Sequence, residues 1–388
     1  MIERAKFPDR LRFGIVDQIR QDSESCDPNK IAACSTAEGE KSTPPISCKY
    51  KDHIDAFIIE PDLEMGTVFT RHLIARMYRG EHFALSMDAH TTIVKDWDVE
   101  LIGQWESIQN EMAIITTRPL KQQQTTVVMT GERHRGLSST NGGGFGDNGG
   151  NTAFNTDPRM ELCEADFVGD SQQTGSSTKM LTLVDEQPEG APSIHKMPQL
   201  QPYWTPDFSF SRGHFLLKVK PDPYLPMVFM GEDVSVSIRA FTHGYDFYAP
   251  IRPVAFYDSQ DETANDPSSR RGRYYLDKLE KEKATGKASQ ARLYGIVKLI
   301  PQTRTDAWSH TEEVRYGLGT SRDTSKFFAT FGIHAQERVI EKHLCTFVSS
   351  GAMHKMFHQH LRPDGMGIDY SRISFRFHEL LNVHELLN

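Results

Sequence analysis

A chain of 388 residues can bury a large hydrophobic core, as one large domain or two smaller ones. Hydrophobic residues make up 38% and charged residues 25%, which is globular in character, and a net charge of −8 excludes a general nucleic-acid or anionic-membrane binder, since those present basic surface. No apolar run reaches the length that crosses a bilayer, and Met1–Lys6 has no apolar signal-peptide core, so the sequence as written reads as cytoplasmic or nuclear.

Leu11–Val16 is a short strand candidate, and a Ser-, Asp-, Pro- and Cys-rich loop follows it to about residue 50. The five cysteines are Cys26, Cys34, Cys48, Cys163 and Cys345. An odd count speaks for reduced thiols over a disulfide framework, with a local metal site or redox pair in the Cys26–Cys48 segment left open. Ile54–Ile59 is a second strand. Thr67–Tyr78 has apolar residues near the helical period, and Gly80 stands where a C-terminal cap would.

Phe83–Met87 is an apolar run that reads as a buried strand ending on Asp88 and His90. In a strand, residues i and i+2 share a face, so the two side chains would point together at the strand's carboxyl end, where open α/β sheets place ligands. A carboxylate beside an imidazole suits a borderline cation such as manganese. By itself, Asp-X-His also describes a strand-end turn with a solvated acid and base.

Trp97–Gln109 reads as a helix and Met112–Thr116 as a strand, so the first part alternates as an α/β sheet does. Residues 121–160 are rich in Gln, Asn and Gly and poor in apolar residues. Their glycines lack the Gly-Lys-Ser/Thr ending of a phosphate loop, and a low-complexity insertion is the better description. Residues 167–200 read as loop with one strand at Lys179–Val184, and order returns at Phe208–Phe215. Glu232 and Asp233 follow Gly231 at the head of a helix running to Thr242. Acids there cap a helix N-terminus, and they also suit sugar hydroxyls, with a glycine that lets substrate approach backbone. His243 reads as a capping or packing residue before a C′ glycine, Gly244. Residues 259–290 are mixed in charge, which favours a solvated helix face over a nucleic-acid patch, and Ser325–Phe331 and Met353–His360 are helical patterns.

The motifs Gly66–His72, Tyr78–Glu81, Met87–His90, Trp97–Asp98, Gln104–Trp105, Phe208–Phe215, Phe229–Asp233, Thr242–Pro250 and Arg315–Thr320 occur in one order. Together they resemble the N-acetylglucosaminyltransferases that modify hydroxyproline or threonine on polypeptides, with a remoter likeness to the mucin-type polypeptide N-acetylgalactosaminyltransferases. The resemblance implies an α/β fold of the GT-A nucleotide-diphospho-sugar transferase type, with a mixed, mostly parallel sheet flanked by helices. It places the catalytic domain in residues 1–258, with a charged linker or insertion at 259–290 and a helical part at 291–388 completing the domain. It also implies a retaining transfer from UDP-N-acetylglucosamine (UDP-GlcNAc), with manganese or magnesium, to a hydroxyl of a protein acceptor. For cytoplasmic members that acceptor is the adaptor subunit of SCF ubiquitin ligases, whereas relatives with an N-terminal anchor work in the Golgi.

Carried over residue by residue, the resemblance implies that Asp88 and His90 hold the metal, with Asp258 as a further ligand. Arg71 lies by the nucleotide or diphosphate, Trp204 or Tyr203 walls the site, and Glu232 and Asp233 serve at the catalytic centre, holding donor-sugar hydroxyls or orienting the acceptor. Two departures stand out. The first strand of the family, with its uridine-binding motif, has no counterpart ahead of Ile2–Pro8, and relatives carry a histidine ligand where this chain has Tyr257. A phenol seldom ionises at neutral pH and is a poor ligand. These departures keep open an alternative, a catalytically silent relative that binds a protein or a nucleotide-sugar.

Overall fold

The computed structural model describes residues 1–19, 25, 27–28, 46–121, 159–169, 179–184, 187–190, 197–228, 230–257, 282–299 and 308–373. Most of the expected insertion at 121–160, most of the charged stretch at 259–290, and Asp258 therefore lie outside the described residues.

The strands are β1 (Phe13–Gln18), β2 (Ile54–Ile59), β3 (Phe83–Met87), β4 (Thr91–Ile93), β5 (Ala113–Thr116), β6 (Leu120–Lys121) and β7 (Arg159–Met160). They continue as β8 (Ala165–Gly169), β9 (Lys179–Leu183), β10 (Glu189–Gly190), β11 (Gln199–Gln201), β12 (Phe208–Arg212), β13 (Asp246–Ala249) and β14 (Ala255–Tyr257). The helices that matter here are α1 (Thr67–Ala75), α2 (Trp97–Ile108), α3 (His214–Lys218), α4 (Glu232–Thr242), α5 (Lys283–Ile296), α6 (Thr324–Thr330), α7 (Leu344–Ser349) and α8 (Ala352–His358).

β5 has no exposed face, because Ala113, Ile114, Ile115 and Thr116 are all buried. Such a strand must be covered on both sides. Ala113 and Ile115 join Trp105 and Ile108 of α2 in one core, and the Trp105 indole donates to Ala113 O at 2.9 Å. Ile114 joins Val236 and Ala240 of α4 in the core on the opposite face.

β5 is the middle strand of a five-stranded sheet ordered β11, β13, β5, β12, β3. The sheet is mixed, as expected, but the expected parallel majority is absent: only β13 with β5 runs parallel, and the other pairings are antiparallel. The cause is connectivity. A parallel return needs a crossover connection, whereas the long excursion between β5 and β12, which runs through β6 to β11, leaves the direction of return free. β12 comes back reversed and inserts between β5 and β3.

Outside this sheet, β1 and β2 form a parallel pair in register Phe13↔Ile54, and α1 packs on it. Residues 167–200, expected as loop with one strand, instead contribute a hairpin: β8 pairs with β9 from Ala165↔Leu183 to Gly169↔Lys179. The helix expected over Thr67–Tyr78 ends earlier, at Ala75, and Gly80 sits beyond it at φ 106°.

Every residue of α4 is buried, including its polar ones. They are tolerated because they are bonded. Ser237 Oγ donates to Asp233 O at 2.7 Å and accepts from Trp204 N at 2.8 Å, and Arg239 Nη2 donates to Lys220 O at 2.7 Å. Thr242 Oγ1 accepts from Gly319 N at 2.9 Å. Gly244 follows at φ 96°, the C′ glycine the sequence indicates, and His243 is bonded to the Gly317 backbone.

The expectation of reduced thiols is overturned. Cys163 and Cys345 form a disulfide across 182 residues, and Cys48 is also disulfide-bonded, with a partner outside the described residues. Counting cysteines could not reveal a pair that only folding brings together. Closing so long a loop is worth about 5 kcal/mol in the chain-entropy picture. Beside the bridge, Ser349 Oγ donates to Glu161 Oε2 at 2.8 Å, and Leu200 N donates to His354 Nδ1 at 3.0 Å. Helices α7 and α8 thereby seal the β11 edge of the central sheet.

Candidate functional site

β3 stops at Met87 because Asp88 bends the chain. Its Oδ1 accepts from His90 N at 2.9 Å, which is an aspartate turn. The strand alternation expected to align Asp88 with His90 is thus replaced by a turn, with Asp88 half-buried and His90 exposed. Asp88 N donates to Asp207 O at 3.0 Å, since the register Phe208↔Met87 sets the residue before β12 opposite the residue after β3.

Asp207 is the group the sequence did not offer. Its Oδ2 lies 3.5 Å from Arg118 Nε, and its carboxylate also bonds the Tyr257 side chain. Burial pushes the Asp207 carboxyl up, Arg118 offsets part of that, and the negative charge of Asp88 adds to it. Tyr257 pairs across the sheet with Thr91, which brings it beside the Asp88 turn. Burial, then Asp207 and Asp88, hold the Tyr257 phenol far above its ordinary range, and it stays neutral. Nothing in sequence spacing links residues 88, 118, 207 and 257. A strand register does.

Arg71, on α1, forms an ion pair through Nη1 with Glu232 Oε2 at the head of α4. Burial pushes Glu232 up, Arg71 opposes this, and Asp233 and Asp207 add to it. Arg71, Glu232 and Trp204 line one largely apolar cavity of about 90 Å³, together with Ser86, Ser209 and Val236. Trp204 is buried with its indole donating to Ser209 Oγ at 2.8 Å. Tyr203, considered as a wall, is instead fully buried in the core beside Phe327 and Phe331.

Asp233 faces away from this cavity. It accepts from Leu183 N at 2.9 Å, Thr182 Oγ1 at 3.2 Å and Val234 N at 2.7 Å, tying α4 to β9. Gly231 has φ 83°, and a Cβ there would stand 3.2 Å from Leu181 O. The glycine serves this close approach of α4 to β9.

Three of the expected residues, Arg71, Trp204 and Glu232, therefore share a cavity. Asp207 stands between Asp88 and the cavity: the charges of Asp88 and Arg71 both act on its carboxyl, and it in turn acts on Glu232. Asp88 and His90 suit manganese or magnesium in donor chemistry. Among the described residues no cluster of three His, Cys, Asp or Glu side chains forms, and Asp258, the further ligand expected, lies outside them. The carboxylates Asp88, Asp207 and Glu232 against the guanidiniums Arg71 and Arg118 leave the mouth acidic. A diphosphate needs an added cation in such a place.

No curated protein sequence matches the chain. Among solved structures it is similar to GalNAc-T7 with UDP, GalNAc and Mn2+, at 10% identity and a TM-score of 0.36, covering 80% of this chain and 56% of that one. This chain thus spans little more than half the length of that structure. The sequence model of one family, described as glycosyltransferase (GlcNAc), matches residues 1–337, and the chain belongs to that family.

Proposed function

We propose that the protein transfers N-acetylglucosamine from UDP-GlcNAc, with retention, to a hydroxyl of a protein acceptor, either hydroxyproline or Thr/Ser. The observation that carries this reading is the meeting of Asp88, Asp207, Arg71 and Glu232 where β3 ends, in a chain whose family transfers sugars. Retention and the acceptor rest on the motif resemblance. Asp88 and His90 would hold manganese or magnesium, which would supply positive charge to offset that of the diphosphate. Arg71, oriented by Glu232, supplies a second positive charge to the donor, and Trp204 gives the site an apolar floor. Glu232, held high by burial, offers a carboxyl to sugar hydroxyls, while Asp233 fixes the helix that presents it. Residues 1–258 and 291–388 act as one catalytic unit, which the contacts of α7 and α8 with β11 support.

One observation favours a second reading, a relative that binds nucleotide-sugar without turnover. Tyr257, at the histidine position of the relatives, is a neutral phenol held by Asp207.

UDP release from UDP-GlcNAc, measured with manganese and a hydroxyl-bearing protein acceptor, tests both. Release that requires manganese and is abolished in Asp88→Ala supports transfer. Manganese-dependent UDP binding without release supports the silent relative, and Tyr257→His is then the variant to assay. If UDP does not bind at all, neither reading survives.

A further inference from the structure

We infer that the working form of this protein is its disulfide-bonded form, and that it meets its acceptor in an oxidising compartment. The acceptor is then a hydroxyl on a protein passing through that compartment, and the adaptor subunit of SCF ubiquitin ligases is excluded. The bridge inference stands by itself, and the acceptor class rests on the transfer reading above.

The argument starts from position. Cys163 is 2% exposed, beside Leu162 and Val348, which are fully buried, and its Cα lies 5.0 Å from that of Cys345 across 182 residues. The bond joins two parts of the fold that meet only in the folded chain. Cys345 sits on α7, whose Val348 and Phe347 belong to the main core. Cys163 sits just before β8, and its N–H donates to Gln187 Oε1 at 3.0 Å. β8 holds β9, and β9 supplies Leu183 N and Thr182 Oγ1 to Asp233, at the first turn of α4 beside Glu232. The bridge thus supports the hairpin that fixes the helix presenting Glu232. Cys48 is bonded as well, near β2, so the oxidised state is not confined to one place. Structural disulfides form and persist in oxidising compartments and are rare where thiol reductants prevail.

The test uses the full chain, purified from the secretory compartment and from the cytosol of one host. Free thiols are alkylated without reductant and the peptides mapped. Thermal midpoints are taken with and without dithiothreitol, and manganese-dependent UDP binding is measured on each preparation. The expected result is a linked peptide carrying Cys163 and Cys345 in the secreted protein, and a midpoint several degrees lower after reduction or in the cytosolic preparation. A second measurement guards against simple misfolding: the double variant Cys163→Ala/Cys345→Ala, made in the secretory compartment, should fold, melt lower than the parent and respond less to dithiothreitol, with only the Cys48 bridge left to reduce. The inference is overturned if the cytosolic protein, with every cysteine alkylated, melts and binds UDP as the secreted protein does. It is equally overturned if reduction leaves the midpoint unmoved. A bridged, reduction-sensitive protein that never binds UDP would sink the transfer reading while leaving the oxidised state supported.

Discussion

Two arginine–carboxylate pairs flank the same helix layer and teach opposite lessons. Arg292 and Asp222 are each 1% exposed, and Arg292 spends all three guanidinium nitrogens: Nε on Asp222 Oδ2 at 2.8 Å, Nη1 on Ser309 O and Nη2 on Thr311 O at 2.7 Å. Asp222 Oδ1 in turn accepts from Tyr224 N at 2.9 Å. Arg71 and Glu232 are 26% and 9% exposed, are joined through one nitrogen and one oxygen, and line a cavity. The first pair is saturated, although Asp222 borders the same cavity, and it ties α5 to the loop carrying Asp222. The second keeps hydrogen-bonding capacity facing open space, at the cost of an acid that burial has pushed up. Satisfied buried charges organise a fold, and unsaturated ones are what a substrate can use.

The sharpest way to break this contrast is Arg292→Met. It leaves Asp222 buried and unpaired, which costs about 3–5 kcal/mol, and chemical denaturation should show that loss. Replacing Arg71 by Met should cost less than the Arg292 change, because Arg71 is partly solvated and the Glu232 carboxyl, already raised by burial, can take up a proton once its partner is gone. The same change should weaken UDP binding by roughly tenfold or more, the worth of one charge-assisted hydrogen bond. If Arg71→Met instead unfolds the protein while UDP affinity survives in what remains folded, the two pairs do not differ as argued. Glu232 sharpens the comparison through pH. Its folded-state carboxyl is raised, so its contribution to stability is complete below the ordinary glutamate range and is lost as pH rises through the raised value. Denaturation midpoints of the native chain against Glu232→Gln should converge toward, and then favour, the variant as pH rises. A difference that stays flat across that range would refute the assignment. The smallest effect lies far from both pairs: Asp323 caps α6 by accepting from Ser325 N at 2.7 Å, and Asp323→Ala should cost about 1 kcal/mol with UDP binding unchanged.

Much of the fold was legible. β2, β3, α2, α6 and α8 fall within a residue or two of their expected bounds, because each carries its own apolar period or cap. β9 was expected, at Lys179–Val184, but its hairpin partner β8 was missed, because its burial comes from neighbours that the local pattern does not show. Of the site, Arg71, Asp88 and Glu232 stood in motifs, and Trp204 was offered only as a wall beside them. Tyr257 was singled out through the resemblance, but Asp207 and Arg118 were not recognisable as partners, because nothing in their spacing brings them there. Asp233 stood in a motif too, yet its oxygens went to β9.

The sequence by itself determined the family and most of the helices and strands, since those depend on residue type and short-range period. Only the tertiary structure decided which carboxylates face the cavity, that β12 returns antiparallel and carries Asp207 to Asp88, and that Cys163 finds Cys345. Each of these is a contact between distant segments, and the free energy that selects it comes from packing the whole core at once, which no short stretch of the chain contains.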